Sequence, residues 1–333
     1  MTDARSGGEN SAVFAGSERF VLCGAGIAGH GLAKAAKSAL ALAAGTLQAR
    51  GILRHLKPAA IVGFGGYPTV APVLATRFLR HRPRIVLHEQ NAVLGRANRA
   101  LSRMADVVAL SFAKTNKVPS GARCVTTGNP VRPAIAVLAG RGYVPSTDVF
   151  HLLILGGSQG ARVFSSIIPD AISHLPEALR ARLRITQQCR TEDLDRVRQV
   201  YDELGVQAEL AAFFPDVASL LDRAHLVIAR AGASTVSELA AIGRPSILVP
   251  LPSAIDDHQR ANAKALADAG GAWVMHQSIL LGADLADFLA PLIAEPGHLA
   301  PLAEAAAAFG RIDAASRLAD LVEQTINPQE IAA

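Results

Sequence analysis

The feature that most constrains this chain is the repeated succession of an apolar strand-like run, a turn of small residues and a helix-like run. The clearest example has a strand-like run at residues 225–229, a turn at 231–235 and a helix-like run at 236–242 that stops at Gly243. Such a turn leaves backbone N–H groups unpaired at the positive end of a helix dipole, which favours a bound phosphate. The pattern therefore predicts a parallel α/β sheet with an anion site at this turn.

The chain contains two such series, joined by a segment rich in Gly, Pro and Ser at residues 140–147. The predicted strands are residues 59–63, 84–87, 105–110 and 124–127 in the first series, and 151–155, 184–187 and 247–249 in the second. A helix is predicted at residues 70–79. The fold class is therefore α/β, with two Rossmann-like, doubly wound domains facing a cleft. We expect the first domain at residues 1–140 and the second at residues 148–325.

Composition narrows the classes of protein that this chain can represent. It has 333 residues, of which 50% are hydrophobic and 18% charged, which supports two packed domains and argues against a disordered chain. No apolar run approaches the roughly 20 residues of a membrane span. Cys23, Cys124 and Cys189 are far apart, so neither a disulfide framework nor a metal site is expected. We expect no cofactor.

Charge is distributed unevenly, because no Asp or Glu occurs between Glu18 and Glu89. Basic residues interleaved with Leu, Ala, Ile and Phe fill that interval. This arrangement is typical of a surface that lies on an anionic membrane, and equally of the solvated face of a basic protein. Nucleic acid is not an expected partner, because aromatic residues make up only 5% of the chain and no recognised binding motif is present.

Two short motifs invite other interpretations. Residues 24–29 fit the glycine spacing of a dinucleotide-binding turn, but the acidic residue expected about 20 positions later is missing, which disfavours a nicotinamide-dependent oxidoreductase. Asp193 and Asp195 form a D-x-D pattern that could suggest a metal-dependent sugar transferase. They follow Thr191, however, and acidic residues in a first helical turn are ordinary, so we interpret them as part of a helix start.

Six motifs occur in order along the chain. They are Gly63-Phe64-Gly65-Gly66-Tyr67-Pro68, His88-Glu89-Gln90-Asn91, Gly128-Asn129-Pro130-Val131-Arg132, Gly156-Gly157-Ser158-Gln159-Gly160-Ala161, residues 230–238, and Asp256-Asp257-His258-Gln259 with Ala261-Asn262-Ala263. Together they resemble the MurG family, the bacterial lipid I N-acetylglucosaminyltransferases of peptidoglycan synthesis. The resemblance extends over almost the whole chain, from about residue 16 to 321.

This resemblance implies a GT-B fold and an inverting, metal-independent transfer of N-acetylglucosamine (GlcNAc) from UDP-GlcNAc. The acceptor would be the C4 hydroxyl of N-acetylmuramic acid in undecaprenyl-diphospho-MurNAc-pentapeptide, known as lipid I. The implied place of action is the cytoplasmic face of the bacterial inner membrane, as a peripheral protein. Partners in complexes for cell-wall synthesis, cell shape and cell division are implied as well.

The resemblance also assigns residues to the two substrates. The substrate-binding positions are Asn91, Arg132, Ser158, Phe214, Gly232, Ala233, Ser234, Thr235, Val236, Ser237, Glu238 and Gln259. Charge develops on the diphosphate during the reaction. Backbone N–H groups at 232–235 and Ser158, together with the Arg132 guanidinium, can neutralise it without a metal. Glu238 would hold the ribose diol.

The remaining assignments concern the base, the sugar and the acceptor. Phe214 would contact the uracil through its backbone, Gln259 would bind GlcNAc hydroxyls, and Asn91 would come from the first domain. Glu89 and His88 are the candidates for the general base that deprotonates the acceptor hydroxyl.

Several of these residues also have a purely structural interpretation. Glu238 could complement the first turn of its helix, and His88 could be a core histidine at a strand end. Ser158 could be an N-cap, and Arg132 could form a surface ion pair. Their joint position at predicted strand ends favours the functional interpretation.

The family pattern begins with a strand and a Gly-Gly-Thr-Gly-Gly-His loop that has no counterpart here. We therefore expect an incomplete first domain, low stability of that domain and little activity of the chain as given. Three alternatives to the transferase stay open at this point. They are an inactive homologue that binds UDP-sugar, a NAD-dependent oxidoreductase and a UDP-GlcNAc epimerase.

Overall fold

The computed structural model describes residues 1–3, 16–23, 32–157 and 162–327. The chain divides into two compact units. Unit 1 comprises Met1–Gln90, Leu94–Gly128 and Ser316–Ala333, and unit 2 comprises Asn91–Val93 and Asn129–Ala315. This division differs from the expected ranges 1–140 and 148–325.

Unit 1 is built on parallel strands. Its strands are β1 (Thr2–Asp3), β2 (Val21–Leu22), β3 (Ala60–Gly63), β4 (Arg84–Glu89), β5 (Val107–Leu110) and β6 (Cys124–Thr126). Its helices are α1 (Leu32–Leu56), α2 (Gly66–Ala75) and α3 (Arg96–Leu101). One four-stranded sheet has the order β3-β4-β5-β6, and β1 pairs with β2 separately.

Both faces of the four-stranded sheet are covered by apolar side chains. On one face Ile85, Leu87 and Val108 pack with residues of α2 and α3. On the other face Val86, Val107 and Ala109 pack with Leu318 and Leu321. A parallel sheet buried on both sides explains why β4 and β5 are nearly continuous apolar runs.

Helix α2 begins four residues before the predicted start at residue 70 and ends at Ala75, followed by a short 3-10 turn at Thr76–Phe78. Gly65 and Gly66 have φ values of 77° and 68°, a left-handed conformation that glycine adopts without strain. Pro68 lies in the first turn, where its missing N–H breaks no hydrogen bond. The prediction of the helix start was wrong because this glycine pair places the chain directly into a helix.

Unit 2 contains six strands and most of the helices. Its strands are β7 (Phe150–Leu155), β8 (Leu183–Gln188), β9 (Gln207–Ala211), β10 (Leu226–Ala229), β11 (Ser246–Leu248) and β12 (Ala272–Val274). Its helices are α4 (Pro133–Leu138), α5 (Phe164–His174), α6 (Glu177–Arg180), α7 (Leu194–Glu203), α8 (Val217–Arg223), α9 (Ala233–Ile242), α10 (His258–Asp268), α11 (Gly282–Ala294) and α12 (Ala300–Phe309). A further helix, α13 (Ala314–Ile326), starts in unit 2 and continues in unit 1.

The six strands of unit 2 form one parallel sheet with the order β9-β8-β7-β10-β11-β12. The chain moves outward from β7 to β9, returns to the middle and moves outward again from β10 to β12. Strands β7 and β10 are therefore neighbours, with Leu155 opposite Ala229 at their carboxyl ends. In doubly wound sheets ligands bind at this topological switch point.

Candidate active site

Two glycine-containing loops leave the sheet of unit 2 side by side at the switch point. Gly156 and Gly157 follow β7, and Gly157 has a φ of 82°. The segment 230–232 follows β10 and leads into α9. The N–H of Gly156 donates to Oε1 of Gln188 at 3.1 Å, which fixes the start of the first loop. Ser158 lies outside the described residues.

Helix α9 presents its amino end at this point. Gly232 is its N-cap, with extended backbone (φ −64°, ψ 146°) and no side chain to occupy the first-turn N–H groups. Those groups have no acceptor within the helix. Val236 is fully buried, and the Ser237 hydroxyl donates to the Ala233 carbonyl at 2.9 Å. Residues 232–237 can therefore offer a ligand mainly backbone N–H groups and the Ser234 and Thr235 hydroxyls.

A cavity of about 170 Å³ lies beside the amino end of α9. Four residues predicted from the sequence line it, namely Arg132, Phe214, Thr235 and Glu238. They come from three separate stretches of the chain. Gly157 and Gln188 also contribute to the lining, so the cavity opens onto the loop after β7.

The Arg132 guanidinium and the Glu238 carboxylate form a two-point ion pair inside this cavity. Nε donates to Oε1 at 2.7 Å and an Nη donates to Oε2 at 2.8 Å. This hydrogen bonding raises the pKa of Arg132. Glu238 is the sixth residue of α9, so it does not complement the first helical turn. The sequence-based hypotheses assigned Arg132 to the diphosphate and Glu238 to the ribose. In the structure the two side chains form hydrogen bonds to each other.

Asn262 on α10 joins two loops at the site. It is fully buried, and its Oδ1 accepts from the N–H of Ala92 at 2.7 Å. Its Nδ2 donates to Asn91 Oδ1 and to the Ala231 carbonyl, both at 3.1 Å. Asn91 was expected in the first domain. It belongs to unit 2, where Asn262 holds it against the turn before α9.

Gln259, on the same helix, is also engaged with the backbone. Its Oε1 accepts from the N–H of Leu251 at 3.0 Å. The preceding residues Asp256 and Asp257 have φ values of 55° and 56°, a left-handed conformation that is uncommon for residues other than glycine. Such local strain is often found in segments that contact ligands.

His88 and Glu89, the candidates for the general base, lie at the end of β4 in unit 1. Glu89 is 2% exposed, and its Oε2 accepts from the N–H of Gly95 at 2.8 Å and from Asn98 Nδ2 at 2.9 Å. His88 is fully buried between the Gly128 carbonyl, 3.1 Å from Nε2, and the Gln90 amide, 3.1 Å from Nδ1. Burial lowers the pKa of His88, so it is neutral near pH 7.

Three residues with defined roles here received none from the sequence. Gln188 and Asn262 hold the loops, and Arg230 supplies a buried cation behind the turn. The Arg230 guanidinium donates to the carbonyls of Val249 and Pro250 and to Gln277 Oε1. Arg230 and Asn262 lie inside the motifs quoted above, whereas Gln188 lies outside them, at the end of β8. The sequence alone did not show which groups these side chains bond to, because those groups are distant in the chain.

Models of two domains of one family match this chain. The C-terminal domain of glycosyltransferase family 28 matches residues 151–322, and the N-terminal domain of that family matches residues 17–110. The chain belongs to glycosyltransferase family 28.

Named relatives place the chain in the MurG branch of the family. It is 58% identical over 329 residues to the UDP-N-acetylglucosamine–N-acetylmuramyl-(pentapeptide) pyrophosphoryl-undecaprenol N-acetylglucosamine transferase of Granulibacter bethesdensis, covering 98% of this chain and 86% of that protein. The enzyme of the same name from Acidiphilium cryptum is 53% identical over 326 residues, with 98% and 88% covered. The crystal structure of MurG from Acinetobacter baumannii has a TM-score of 0.73 at 30% identity, covering 92% of this chain and 84% of that one.

These findings confirm the predicted family and the α/β fold class with two Rossmann-like, GT-B-type domains. They confirm that this family 28 chain is a glycosyltransferase. They give no support to the oxidoreductase, the epimerase or the inactive homologue. The glycine spacing at residues 24–29, on which the oxidoreductase hypothesis rested, lies outside the described residues.

Two further sequence predictions concern metals and membranes. The described residues contain no cluster of three or more His, Cys, Asp or Glu side chains suited to a metal ion. Asp193 of the D-x-D pattern is in a 3-10 turn before α7 and forms an ion pair with Arg196 at 3.3 Å. No helix in the described ranges is long and apolar enough to cross a membrane.

Proposed function

We propose that this family 28 chain transfers GlcNAc from UDP-GlcNAc to lipid I, forming the disaccharide lipid II used in peptidoglycan synthesis. The observation that carries this proposal is the 58% identity, over 98% of the chain, to an enzyme named for that transfer. The geometry of unit 2 supplies an independent argument, because its switch point combines a helix amino end, a cavity and an exchangeable ion pair.

We place the donor nucleotide in the cavity beside α9. The diphosphate would lie against the first-turn N–H groups and the Ser234 and Thr235 hydroxyls, where the helix dipole favours an anion. The uracil would contact the backbone of Phe214, which is buried at the cavity wall. Gln259, and Ser158 beyond the described residues, would complete the contacts with the sugar and the diphosphate.

Donor binding would have to open the ion pair between Arg132 and Glu238. The Glu238 carboxylate is in the cavity wall and is held by α9, whereas the Arg132 side chain is 50% exposed and can move at low cost. In this exchange the ribose diol replaces the guanidinium on Glu238, and the guanidinium moves to the diphosphate. Each charged group then keeps a hydrogen-bonding partner throughout.

The reaction itself is a displacement at the anomeric carbon. The C4 hydroxyl oxygen of the acceptor MurNAc attacks C1 of GlcNAc, and the bond from C1 to the diphosphate oxygen breaks. UDP leaves with that electron pair, and the configuration at C1 inverts to give a β-1,4 linkage. Backbone N–H groups and Arg132 would stabilise the charge that develops on the diphosphate, with no metal required.

The hydroxyl proton must pass to a base, and the assignment of that role to Glu89 or His88 stays a prediction. In the described structure both side chains hold loops in place, through Gly95 and Asn98 for Glu89 and through Gly128 and Gln90 for His88. A base must reach the hydroxyl within hydrogen-bonding distance. His88 would need to release one of these bonds to act, and Glu89, which is 2% exposed, would need to become accessible to the hydroxyl.

We assign the acceptor and the membrane to unit 1. Its first 88 residues carry no acid after Glu18 and many Lys and Arg residues, a composition that favours an anionic membrane surface. The protein would act as a peripheral protein on the cytoplasmic face of the bacterial inner membrane. Proteins of cell-wall synthesis and of the division complex are the macromolecular partners that we propose.

The experiment that tests the proposal is a transfer assay with purified chain, UDP-GlcNAc and lipid I, with EDTA present. We expect a product heavier by one GlcNAc unit, identified by mass spectrometry even at low turnover, and release of UDP. UDP binding without any such product would replace the proposal with the inactive homologue. Formation of free N-acetylmannosamine without lipid I would favour an epimerase.

A further inference from the structure

Gln188 is the last residue of β8, and its side chain continues the sheet of unit 2 where the backbone pairing with β7 stops. Strand β8 lies between β7 and β9. The last pair in the register of β7 and β8 joins Ile154 to Gln187. Beyond that pair, the Gln188 Oε1 accepts from the N–H of Gly156 at 3.1 Å, and Gly156 is buried. A side chain therefore takes the place of a backbone partner on this side.

The other half of the same amide is bound on the opposite side of β8. There the Cys189 N–H donates to the Ala211 carbonyl at 3.0 Å, which closes the backbone bonding with β9. The next carbonyl along the chain, that of Ala212, accepts from Gln188 Nε2 at 3.1 Å. One side chain thus connects the segment that follows β7 with the segment that follows β9, across the end of the strand between them.

The two partners fix the orientation of the Gln188 amide. The Gly156 N–H can only donate and the Ala212 carbonyl can only accept, so a flipped amide would place donor against donor and acceptor against acceptor. Gln188 is 8% exposed. An apolar side chain of the same size would leave the buried Gly156 N–H without this acceptor, which is costly. Because one planar group makes both bonds, the two segments are held at a set separation.

The residues that Gln188 holds come directly before two walls of the cavity beside α9. Gly157 follows Gly156 and lines the cavity on one side. Phe213 and Phe214 follow Ala212 and line it on another. Gln188 itself is part of the same lining. In the placement proposed above, the first wall is on the diphosphate side of the donor and the second is on the uracil side.

Each wall also has an anchor that does not involve Gln188. Beyond the two phenylalanines, the Asp216 carboxylate accepts from the N–H of Ser219 at 3.1 Å and caps α8. Beyond the loop after β7, Gln187 Nε2 donates to the Phe164 carbonyl at 3.1 Å, at the start of α5. Removing the Gln188 amide would therefore loosen the near end of each wall and leave its far end in place.

We propose that Gln188 is a positioning residue that sets the distance between the diphosphate side and the uracil side of the donor cavity. The inference rests on the proposed binding of UDP-GlcNAc in this cavity. A nucleoside diphosphate contacts both walls at once, so its affinity depends on their separation. A ligand that contacts one wall does not have this dependence. Gln188 takes no part in the bond changes and acts by preorganising the cavity for the donor.

The test compares Gln188→Met with the matched control Gln199→Met. Methionine is close to glutamine in length and forms neither of the two hydrogen bonds. Gln199 is an exposed residue of α7 that bonds to Glu203, so the control makes the same chemical change away from the cavity. Three ligands are used to displace labelled UDP-GlcNAc from each protein: UDP for both walls, uridine for the uracil side and inorganic pyrophosphate for the diphosphate side.

The three dissociation constants should change unequally in Gln188→Met. Since one net hydrogen bond corresponds to about a fivefold change in an equilibrium, we expect the constant for UDP to rise roughly 20-fold and those for uridine and pyrophosphate to rise less than about threefold. Gln199→Met should match the wild type for all three ligands. In the transfer assay the KM for UDP-GlcNAc should rise as the UDP constant does, while kcat changes less than about threefold, the pattern of lost binding.

Two results would overturn the inference. A rise for uridine or for pyrophosphate as large as the rise for UDP would show that Gln188 supports one wall and does not set their separation. An unchanged UDP constant together with a lower melting temperature would make Gln188 a purely structural residue. If Gln188→Met does not fold, Gln188→Asn, with an amide one methylene shorter, is measured instead, and the same three constants decide.

The wild-type protein separates this inference from the proposed function. Wild-type protein that transfers GlcNAc to lipid I, combined with equal UDP constants in the wild type and Gln188→Met, would overturn the inference and leave the transferase proposal standing. Wild-type protein that binds no UDP-GlcNAc would overturn both.

Discussion

Each unit has a buried carboxylate among its candidate site residues, and the two are held in different ways. Glu89 in unit 1 is bound by a backbone N–H and by the buried Asn98 amide. Glu238 in unit 2 is bound by Arg132, a side chain that is half exposed. Both carboxylates are less than one-tenth exposed. The partner therefore decides the role, since a mobile partner can be exchanged for a ligand and a fixed one cannot.

Glu238→Gln tests the exchangeable carboxylate and should give the largest effect. The amide accepts more weakly and repels one of the two diol hydrogens, and a hydrogen bond to a charged group contributes roughly 1.5–3 kcal/mol. We expect about a 100-fold rise in the UDP-GlcNAc dissociation constant by calorimetry, with little change in thermal stability. Glu209→Gln, at an exposed ion pair of the same unit, serves as the control and should leave affinity unchanged.

Arg132→Gln tests the ion-pair partner of Glu238. Removing the guanidinium frees Glu238 for the ribose but deprives the diphosphate of a cation when charge develops. We expect kcat to fall roughly 30-fold, in the range of one lost oxyanion-type donor or somewhat less, while UDP affinity changes less than about threefold. A large loss of UDP affinity with unchanged kcat would contradict the exchange of partners.

Glu89→Gln tests the fixed carboxylate in unit 1. The neutral amide oxygen accepts more weakly than the carboxylate from Gly95 and Asn98, and weakening buried hydrogen bonds to a charged group costs about 2 kcal/mol. Native-state hydrogen exchange should therefore become about 30-fold faster in β4 and α3 and stay unchanged in β7. If instead the variant keeps its stability and loses most of its kcat, Glu89 is the base.

His225 in unit 2 should give a smaller effect, which is a dependence of stability on pH. Its Nδ1 accepts from the N–H of His151 at 2.9 Å, and burial lowers the pKa of His225 to about 4. The unfolded chain, with a pKa near 6.5, then binds a proton that the folded one does not, so stability falls as pH falls from about 6.5 to 4.

The variant His225→Asn keeps an acceptor that does not titrate. Between pH 7 and pH 5 the free energy of unfolding should fall in both proteins, and the fall should be about 1 kcal/mol smaller in the variant, after a discount for the partial exposure of His225. Urea unfolding at the two pH values measures it. Parallel pH profiles for the two proteins would contradict this assignment.

Arg223→Gln should have the smallest effect. Arg223 and Glu209 approach to 2.7 Å, as close as Arg132 and Glu238, but both are about half exposed. Water screens such pairs, so we expect the substitution to lower the free energy of unfolding by less than about 0.5 kcal/mol, measured by urea unfolding. A loss above about 1 kcal/mol would show that distance, rather than exposure, ranks these ion pairs.

Local patterns in the sequence were sufficient for the strands and for the turn before α9. Apolar runs bounded by glycine or proline predicted β3, β4 and β7 to within one or two residues, because burial and turn chemistry act over short distances. Helix α2 was the exception, since its start depends on the positive φ of Gly65 and Gly66, which the apolar pattern does not reveal.

The partners of the site residues could not be predicted in this way. Arg132 and Glu238 are separated by 106 positions, and Asn91 and Asn262 by 171. Both contacts follow from tertiary packing, and no local propensity specifies them. The sequence pattern thus selected candidate residues, and the structure was needed to distinguish side chains that hold loops from those that can meet a ligand.

Helix α13 has a consequence for how the chain is made. Leu318 and Leu321 cover the face of the unit 1 sheet that carries Val86, Val107 and Ala109. That face therefore stays uncovered until a segment some 200 residues later in the chain has been synthesised. Contacts this distant slow folding because a long loop must close first. Unit 2, which is nearly contiguous in the chain, can fold on the ribosome while strands β4 and β5 still expose an apolar face. During synthesis the nascent chain should therefore be a client for chaperones until α13 has emerged.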